Sequence, residues 1–378
     1  MKIIINALSA RQGGGQTYIK HLLENFPKNG NSEAVVVVPK SLKLQIDTFN
    51  IKKLNTLEIV GSNPIARMLW EILILPKIIR NTGADVLFCP GGSINGNIPK
   101  NCKIVTTFQN MLPFDQAQSK KYPFGYARFR NWYLHKKLLK SMVKSDLVIF
   151  ISKYAKSIIE NDYGLKLKNS VVIPHGISPI FKRNVELELL RPSWLPNSEY
   201  LLYVSIFDVY KAQLEVIKAY DLFKKCEKTD LKLVLIGSDH GLYGQRARKL
   251  IKELKLERDV LVAGEVLHNE LPAIYQNALI NIFASETENC PFILLEALAS
   301  GRPLLASNCQ PMPEFGGDAV LYFSPQSPNE LSRLIAKVSS SKVLINKLSQ
   351  KSLERSSLYN WENSATRTWR SIKQLIDK

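Results

Sequence analysis

The chain has 378 residues, 45% of them apolar, and 51 lysines and arginines against 33 acidic residues, a formal charge of +18. The length suggests two domains of roughly 150 residues each, and no stretch approaches the ~20 apolar residues of a membrane-spanning helix. Five scattered cysteines without CxxC spacing argue against a disulfide or zinc framework and for a reducing, cytoplasmic compartment. The positive charge suits a polyanionic partner: nucleic acid, an acidic membrane surface or a phosphorylated small molecule.

In chain order, MKIIINAL is too short and too soon polar for a signal peptide and reads as a first buried strand. Gly13, Gly14 and Gly15 follow, and GQTYIKHLLENF then has helical periodicity. A glycine loop at a helix start lets backbone approach a phosphate, and it equally suits a plain flexible loop. AVVVVP, DVLFCP, KIVTTF, DLVIFIS and SVVIP continue the strands of the first half. Between them lies the oiliest stretch, IARMLWEILILPKII, interrupted by Arg67, Glu71, Pro76 and Lys77. YLLYVSI, LKLVLIG, DVLVAG, LINIFAS and PLLAS are the strands of the second half, with KAQLEVIKAYDLFKKC and QRARKLIKELK as helices among them. Strands alternating with crossover helices predict an α/β architecture of parallel sheets covered on both faces. The alternation lapses near residues 178–198, which divides the chain into domains 1–182 and 183–360, with a terminal segment 361–378. Two such domains leave a cleft at the carboxyl ends of their sheets, where ligands of these folds bind.

Residues 286–301, ETENCPFILLEALASG, hold the sharpest signal. Pro291 suits a helix start, Gly301 a helix stop, and Glu288 falls on the loop after the strand LINIFAS. The N–H groups of Phe292 and Ile293 then point out of the helix start as an anion site, with Glu296 about one and a half turns further on. Carboxylates beside an anion site fit a ligand with both phosphates and hydroxyls, a nucleotide-sugar. The bland alternative is an acidic helix start at Glu286 and Glu288, with Glu296 solvated.

This stretch resembles the E-x7-E signature of the retaining, metal-independent family 4 glycosyltransferases, which have the GT-B architecture of two Rossmann-like domains facing across a cleft. The likeness spans nearly the whole chain: GGGQTYIKHLL, SDLVIFISKYAKSII, VVIPHGI, YVSIFDVYKAQLEVIKAY, LVLIGSD and VAGEVLHNELPAIYQNA follow in the family's order. The resemblance implies that Glu296 accepts hydrogen bonds from the donor ribose and that Glu288 faces the donor sugar. It places Lys211 on the donor diphosphate, Gly14 and Gly15 beside it, and Glu265 and Val266 at the nucleobase. Gln109 aligns with a histidine that contacts the donor sugar in related enzymes; glutamine keeps hydrogen bonding but does not titrate near neutral pH. An arginine common in the family is Ile206 here, so the diphosphate clamp is one cation short. Arg302, a lysine of the first domain, or Lys211 alone could meet that charge. His175 in IPHGI reads as a turn residue. The terminal segment is expected to be a helix crossing back to the first domain. No metal or other cofactor is implied.

Residues 119–145 contain eight lysines or arginines, no acid, and six interleaved aromatics. They suit the headgroup layer of an anionic membrane, stacked single-stranded nucleic acid, or a solvated basic face whose aromatics point into the core. With the resemblance, membrane contact is the better functional choice. The expected activity is hexose transfer from a nucleoside-diphosphate sugar to a glycan, lipid-linked in many relatives, in bacterial surface polysaccharide assembly at the inner face of the plasma membrane. A leaning towards mannose from its GDP donor rests only on general likeness to O-antigen enzymes. The rival readings are a nucleotide-sugar epimerase of the same architecture and a basic nucleic-acid-binding protein; the E-x7-E signature weighs against both.

Overall fold

The computed structural model describes residues 1–10, 14–27, 32–40, 42, 50–182 and 191–377. Gly13 and residues 183–190, beside the sequence-based domain boundary, lie outside them. The chain forms two compact units: Met1–Phe114, Gly125–Gly176 and Trp361–Lys378 in the first, Asp115–Phe124 and Ile177–Asn360 in the second.

The first unit is built on β1 (Lys2–Asn6), β2 (Glu33–Pro39), β3 (Ile51–Thr56), β4 (Val86–Cys89), β5 (Lys103–Phe108), β6 (Leu147–Phe150) and β7 (Ser170–Val172). All are parallel, in the order β3-β2-β1-β4-β5-β6-β7. Ile3 pairs with Ala34 on one side and Val86 on the other, which fixes the central register. The runs of β1 after Lys2, of β4 and of β6 are fully buried, as a sheet covered on both faces requires, whereas the edge strand β7 is half-buried. The second sheet comprises β8 (Tyr200–Val204), β9 (Lys232–Ile236), β10 (Val260–Gly264), β11 (Ile280–Phe283), β12 (Leu304–Ser307) and β13 (Val320–Phe323), in the order β10-β9-β8-β11-β12-β13. Its strand order reverses between β8 and β11, so a crevice opens outside the carboxyl ends of those two strands.

The helices used below are α1 (Gly14–Glu24), α2 (Pro64–Leu73), α3 (Gln116–Lys121), α4 (Tyr126–Lys144), α5 (Gln213–Cys226), α6 (Leu271–Asn277), α7 (Phe292–Ala299) and α8 (Trp361–Ile376). The Asn63 side chain caps α2 by accepting from the Ile65 and Ala66 amides at 2.8 and 3.2 Å, with Pro64 opening the helix. Helix α8 packs within the first unit: Trp369 donates its indole N–H to the Leu22 carbonyl at 3.1 Å and meets Phe26 edge-on. Trp361 stacks on His21 with ring centroids 4.8 Å apart. None of the five cysteines is disulfide-bonded.

Gly237, just beyond β9, has φ of +136° and donates its amide to the Gly264 carbonyl at 2.8 Å. A Cβ there would lie 2.0 Å from the Ser205 carbonyl oxygen beyond β8. Gly237→Ala combines backbone strain with a clash against main chain, so it is expected to lower unfolding free energy by at least ~2 kcal/mol in a urea titration. An unchanged midpoint and slope would contradict the packing described for this edge.

Candidate active site

The two loops that flank the reversal in the second sheet carry Lys211 and Glu288. After β8 the chain turns through Asp208, whose carboxylate accepts from the Val209 amide at 2.7 Å, and through a short 3-10 turn ending at Lys211. Ala212 then takes the left-handed conformation at φ 55° and leads into α5. Buried Tyr203 donates its hydroxyl to the Lys211 carbonyl at 2.6 Å, fixing the backbone from below. The Lys211 side chain is buried, with its ammonium 4.8 Å from the Tyr210 ring centroid and 5.5 Å from that of Phe283.

After β11, Ser285 donates its hydroxyl to Glu288 Oε1 at 2.8 Å, and the Lys211 ammonium donates to the same oxygen. The Glu286 amide donates to the Tyr210 carbonyl at 2.7 Å, stitching the two loops together. Glu288 is therefore held by one edge. Its second oxygen, Oε2, has no hydrogen-bond partner among the described residues. A half-buried carboxylate with one oxygen anchored and the other open is arranged to accept hydroxyl donors.

Pro291 stands immediately before α7, and no side chain caps that helix. Its N-terminus lies in the crevice loop, with Phe292 and Ile293 half-buried in the first turn. Glu296 is half-buried one turn along, beside Tyr275 of α6, whose hydroxyl lacks hydrogen-bond geometry to any described residue. Burial pushes the Glu296 carboxyl up to about 8. The solvated alternative for Glu296 does not hold. Nor is Glu286 a free acidic cap: its buried carboxylate takes the Gln118 amide and the Lys121 ammonium of the α3 segment. Tyr122 of that segment donates to Asp208 Oδ1 at 2.9 Å.

The remaining candidates are more dispersed. Glu265 and Val266 lie on the loop after β10, lining an open hollow of about 830 Å³ with Trp194 and Leu261. Gly14 and Gly15 begin α1 after β1, and half-buried Gln109 follows β5; all three belong to the first unit. Buried His175 packs against Tyr18 and Trp361, and burial pushes its imidazole down to about 3, so it stays neutral at ordinary pH. Ile206 is exposed. Arg302 donates to the Gln276 carbonyl at 2.6 Å, at the amino edge of β11 and β12. It faces away from the carboxyl edge and does not replace the missing arginine. Lys121, by contrast, brings a second ammonium to the loop that carries Glu288. Sequence reading missed Gln118, Lys121, Ser285 and Tyr203; only the S-x-x-E spacing of Ser285 and Glu288 offered a local signal.

Two family descriptions match the chain: Glycosyltransferase Family 4 over residues 12–180 and Glycosyl transferases group 1 over residues 190–355. The chain belongs to the family 4, group 1 glycosyltransferases. Among curated relatives, the O-antigen chain mannosyltransferase B of Escherichia coli is 24% identical over 72% of this chain and 71% of its own. Among solved structures, sucrose-phosphate synthase from Thermosynechococcus elongatus superposes with a TM-score of 0.74 at 18% identity, covering 100% and 99% of the two chains. Anabaena HepE in complex with UDP-glucose gives 0.71 at 14% identity, covering 99% and 100%. These neighbours establish the GT-B fold for this glycosyltransferase.

The Glu296 carboxyl gives a pH signature. An acid whose folded value lies above its unfolded one binds its proton more tightly when folded. Stability is therefore full below the ordinary value near 4.5 and falls as pH rises towards about 8. The slope is at most ~1.4 kcal/mol per pH unit for one proton. Thermal unfolding of Glu296→Gln is expected to lose less stability than wild type between these limits; parallel curves would contradict the buried carboxyl.

Proposed function

We propose that this glycosyltransferase moves a hexose from a nucleoside-diphosphate sugar to a glycan with retention of anomeric configuration. The observation that carries the reading is the anchoring of Glu288: Oε1 held by Lys211 and Ser285, Oε2 open at the carboxyl edge between β8 and β11. The ammonium of Lys211 has three N–H donors and spends one on Glu288, leaving others for an oxygen of the donor diphosphate. As the bond from sugar C1 to the diphosphate breaks, charge grows on the leaving oxygen, and a fixed ammonium with a helix N-terminus offsets it. A bond from C1 to the acceptor oxygen forms on the same face, and the acceptor proton passes to the departing phosphate. No side chain acts as a base in this reading, in keeping with glutamine at position 109, and no metal ion is required.

Glu296 binds the ribose hydroxyls, Glu288 a sugar hydroxyl, and the loop of Glu265 and Val266 the nucleobase. The mannosyl and O-antigen description of the Escherichia coli relative supports a mannose donor and a surface-polysaccharide acceptor; that this acceptor is lipid-linked and met at the cytoplasmic face of a membrane is part of the proposal. No helix among the described residues is long and apolar enough to cross a membrane.

A thermal-shift screen with GDP, UDP, dTDP and ADP identifies the base, because a ligand at 100 times its Kd stabilises by about 2.7 kcal/mol. Glu296→Gln is expected to reduce that shift at least severalfold. Glu288→Gln is expected to keep it while lowering sugar transfer by about 100-fold or more. Normal transfer by both variants would overturn the assignment.

A further inference from the structure

Helix α2 is turned inside out. Its only acidic residue, Glu71, is buried and accepts hydrogen bonds from Asn6, at 2.7 Å, and Asn95. Its apolar stripe, Ile65, Leu69, Ile72 and Leu73, at i, i+4, i+7 and i+8, faces solvent, with Ile65 65% exposed and Leu73 59%. The preceding turn adds exposed Leu57 and Ile59. These residues belong to the oily stretch of the first half, whose Leu75 and Ile79 enter the core with Trp70 packed against it, while this stripe stays outside.

Helix α4 repeats the pattern with charge. Phe129, Trp132 and Tyr133 follow one another on its outer face, continued by Lys136, Lys140 and Lys144. Phe129 is 63% and Trp132 53% exposed, so the aromatics do not point into the core. The Lys136 ammonium lies 4.5 Å from the Trp132 ring centroid. Tyr133 donates to Met68 Sδ at 3.8 Å, and Asn95, which holds Glu71, also lines the hollow of about 310 Å³ under these lysines. The two helices thus share one surface of the first unit.

We propose that this surface docks on an anionic phospholipid bilayer. The aliphatic stripe and the rings enter the headgroup–acyl boundary, while Lys136, Lys140 and Lys144 meet lipid phosphates in the hollow. Charge selects this occupant. A contiguous apolar patch of this kind marks an interaction face, and residues 119–145 contain no acid. A two-fold pairing of copies through this face would set lysine against lysine. A bilayer supplies both the apolar interior and the counter-charge.

Co-sedimentation of the full chain with phosphatidylcholine vesicles, with and without phosphatidylglycerol, tests this. Binding is expected only with phosphatidylglycerol, and to weaken with added salt. Leu69→Ser with Ile72→Ser, and separately Lys136→Glu with Lys140→Glu, should each weaken it at least about tenfold, since each surface lysine contributes about fivefold. Unchanged melting temperatures would show that these exposed positions leave the fold intact. Vesicle binding needs no nucleotide, so the nucleotide-induced thermal shift, expected to be unchanged in both variants, reports the donor-site reading separately. Wild-type protein left in the supernatant, or variants that bind as wild type does, would overturn the proposal. So would a wild-type dimer in sedimentation velocity that the variants dissolve without altered vesicle binding, or tighter binding to single-stranded RNA than to vesicles.

Discussion

The pairing of Lys211 with Glu288 is the constraint on which the candidate site depends. Neither residue sits at its place through its own loop alone. Tyr203 holds the Lys211 backbone, Ser285 holds the Glu288 carboxylate, and the Glu286 amide ties one loop to the other through Tyr210. The pair is largely removed from water, so losing either member leaves an uncompensated charge in a poor solvent for it. The arrangement leaves one carboxylate oxygen and part of an ammonium unspent. Under the proposed function, a donor with hydroxyls and a diphosphate meets both.

The fold supplies this arrangement through topology. Strands β8 and β11 pair directly, with Leu201 opposite Ile280, yet their following helices leave in opposite directions across the sheet. The loops after them are forced apart into a crevice, and the residues that open those loops face one another. Arg302 shows the converse: a cation close in sequence to the motif is carried by α7 to the far edge of the sheet, where it binds a carbonyl instead. Lys121, remote in sequence, reaches the motif through the α3 segment.

Much of this was legible in the residues. Eleven strands announce themselves as short Ile- and Val-rich runs, because a central parallel strand is apolar on both faces. The two missed strands, β3 (IKKLNT) and β13 (VLYF), are the outermost of their neighbours on β2 and β12. β3 has only two apolar residues, Ile51 and Leu54, and so lacks the central-strand pattern, whereas β13 is as long and as apolar as β4 and no pattern explains its omission. In the candidate site, the E-x7-E spacing singled out Glu288 and Glu296, and the family resemblance singled out Lys211. The contacts of Gln118, Lys121 and Tyr203 were not, because they join elements far apart in sequence and no local pattern encodes them. The basic aromatic stretch was ambiguous for a related reason: periodicity says that aromatics share a helix face, and only packing says whether that face is covered.

The central claim is that the Lys211 ammonium meets the donor diphosphate. Calorimetric dissociation constants for the nucleoside monophosphate and diphosphate of the preferred base, with wild type and Lys211→Ala, test it most directly. Wild type is expected to favour the diphosphate by about tenfold or more, with that preference largely lost in the variant and monophosphate binding little changed. A diphosphate preference that survives intact in Lys211→Ala would contradict the account.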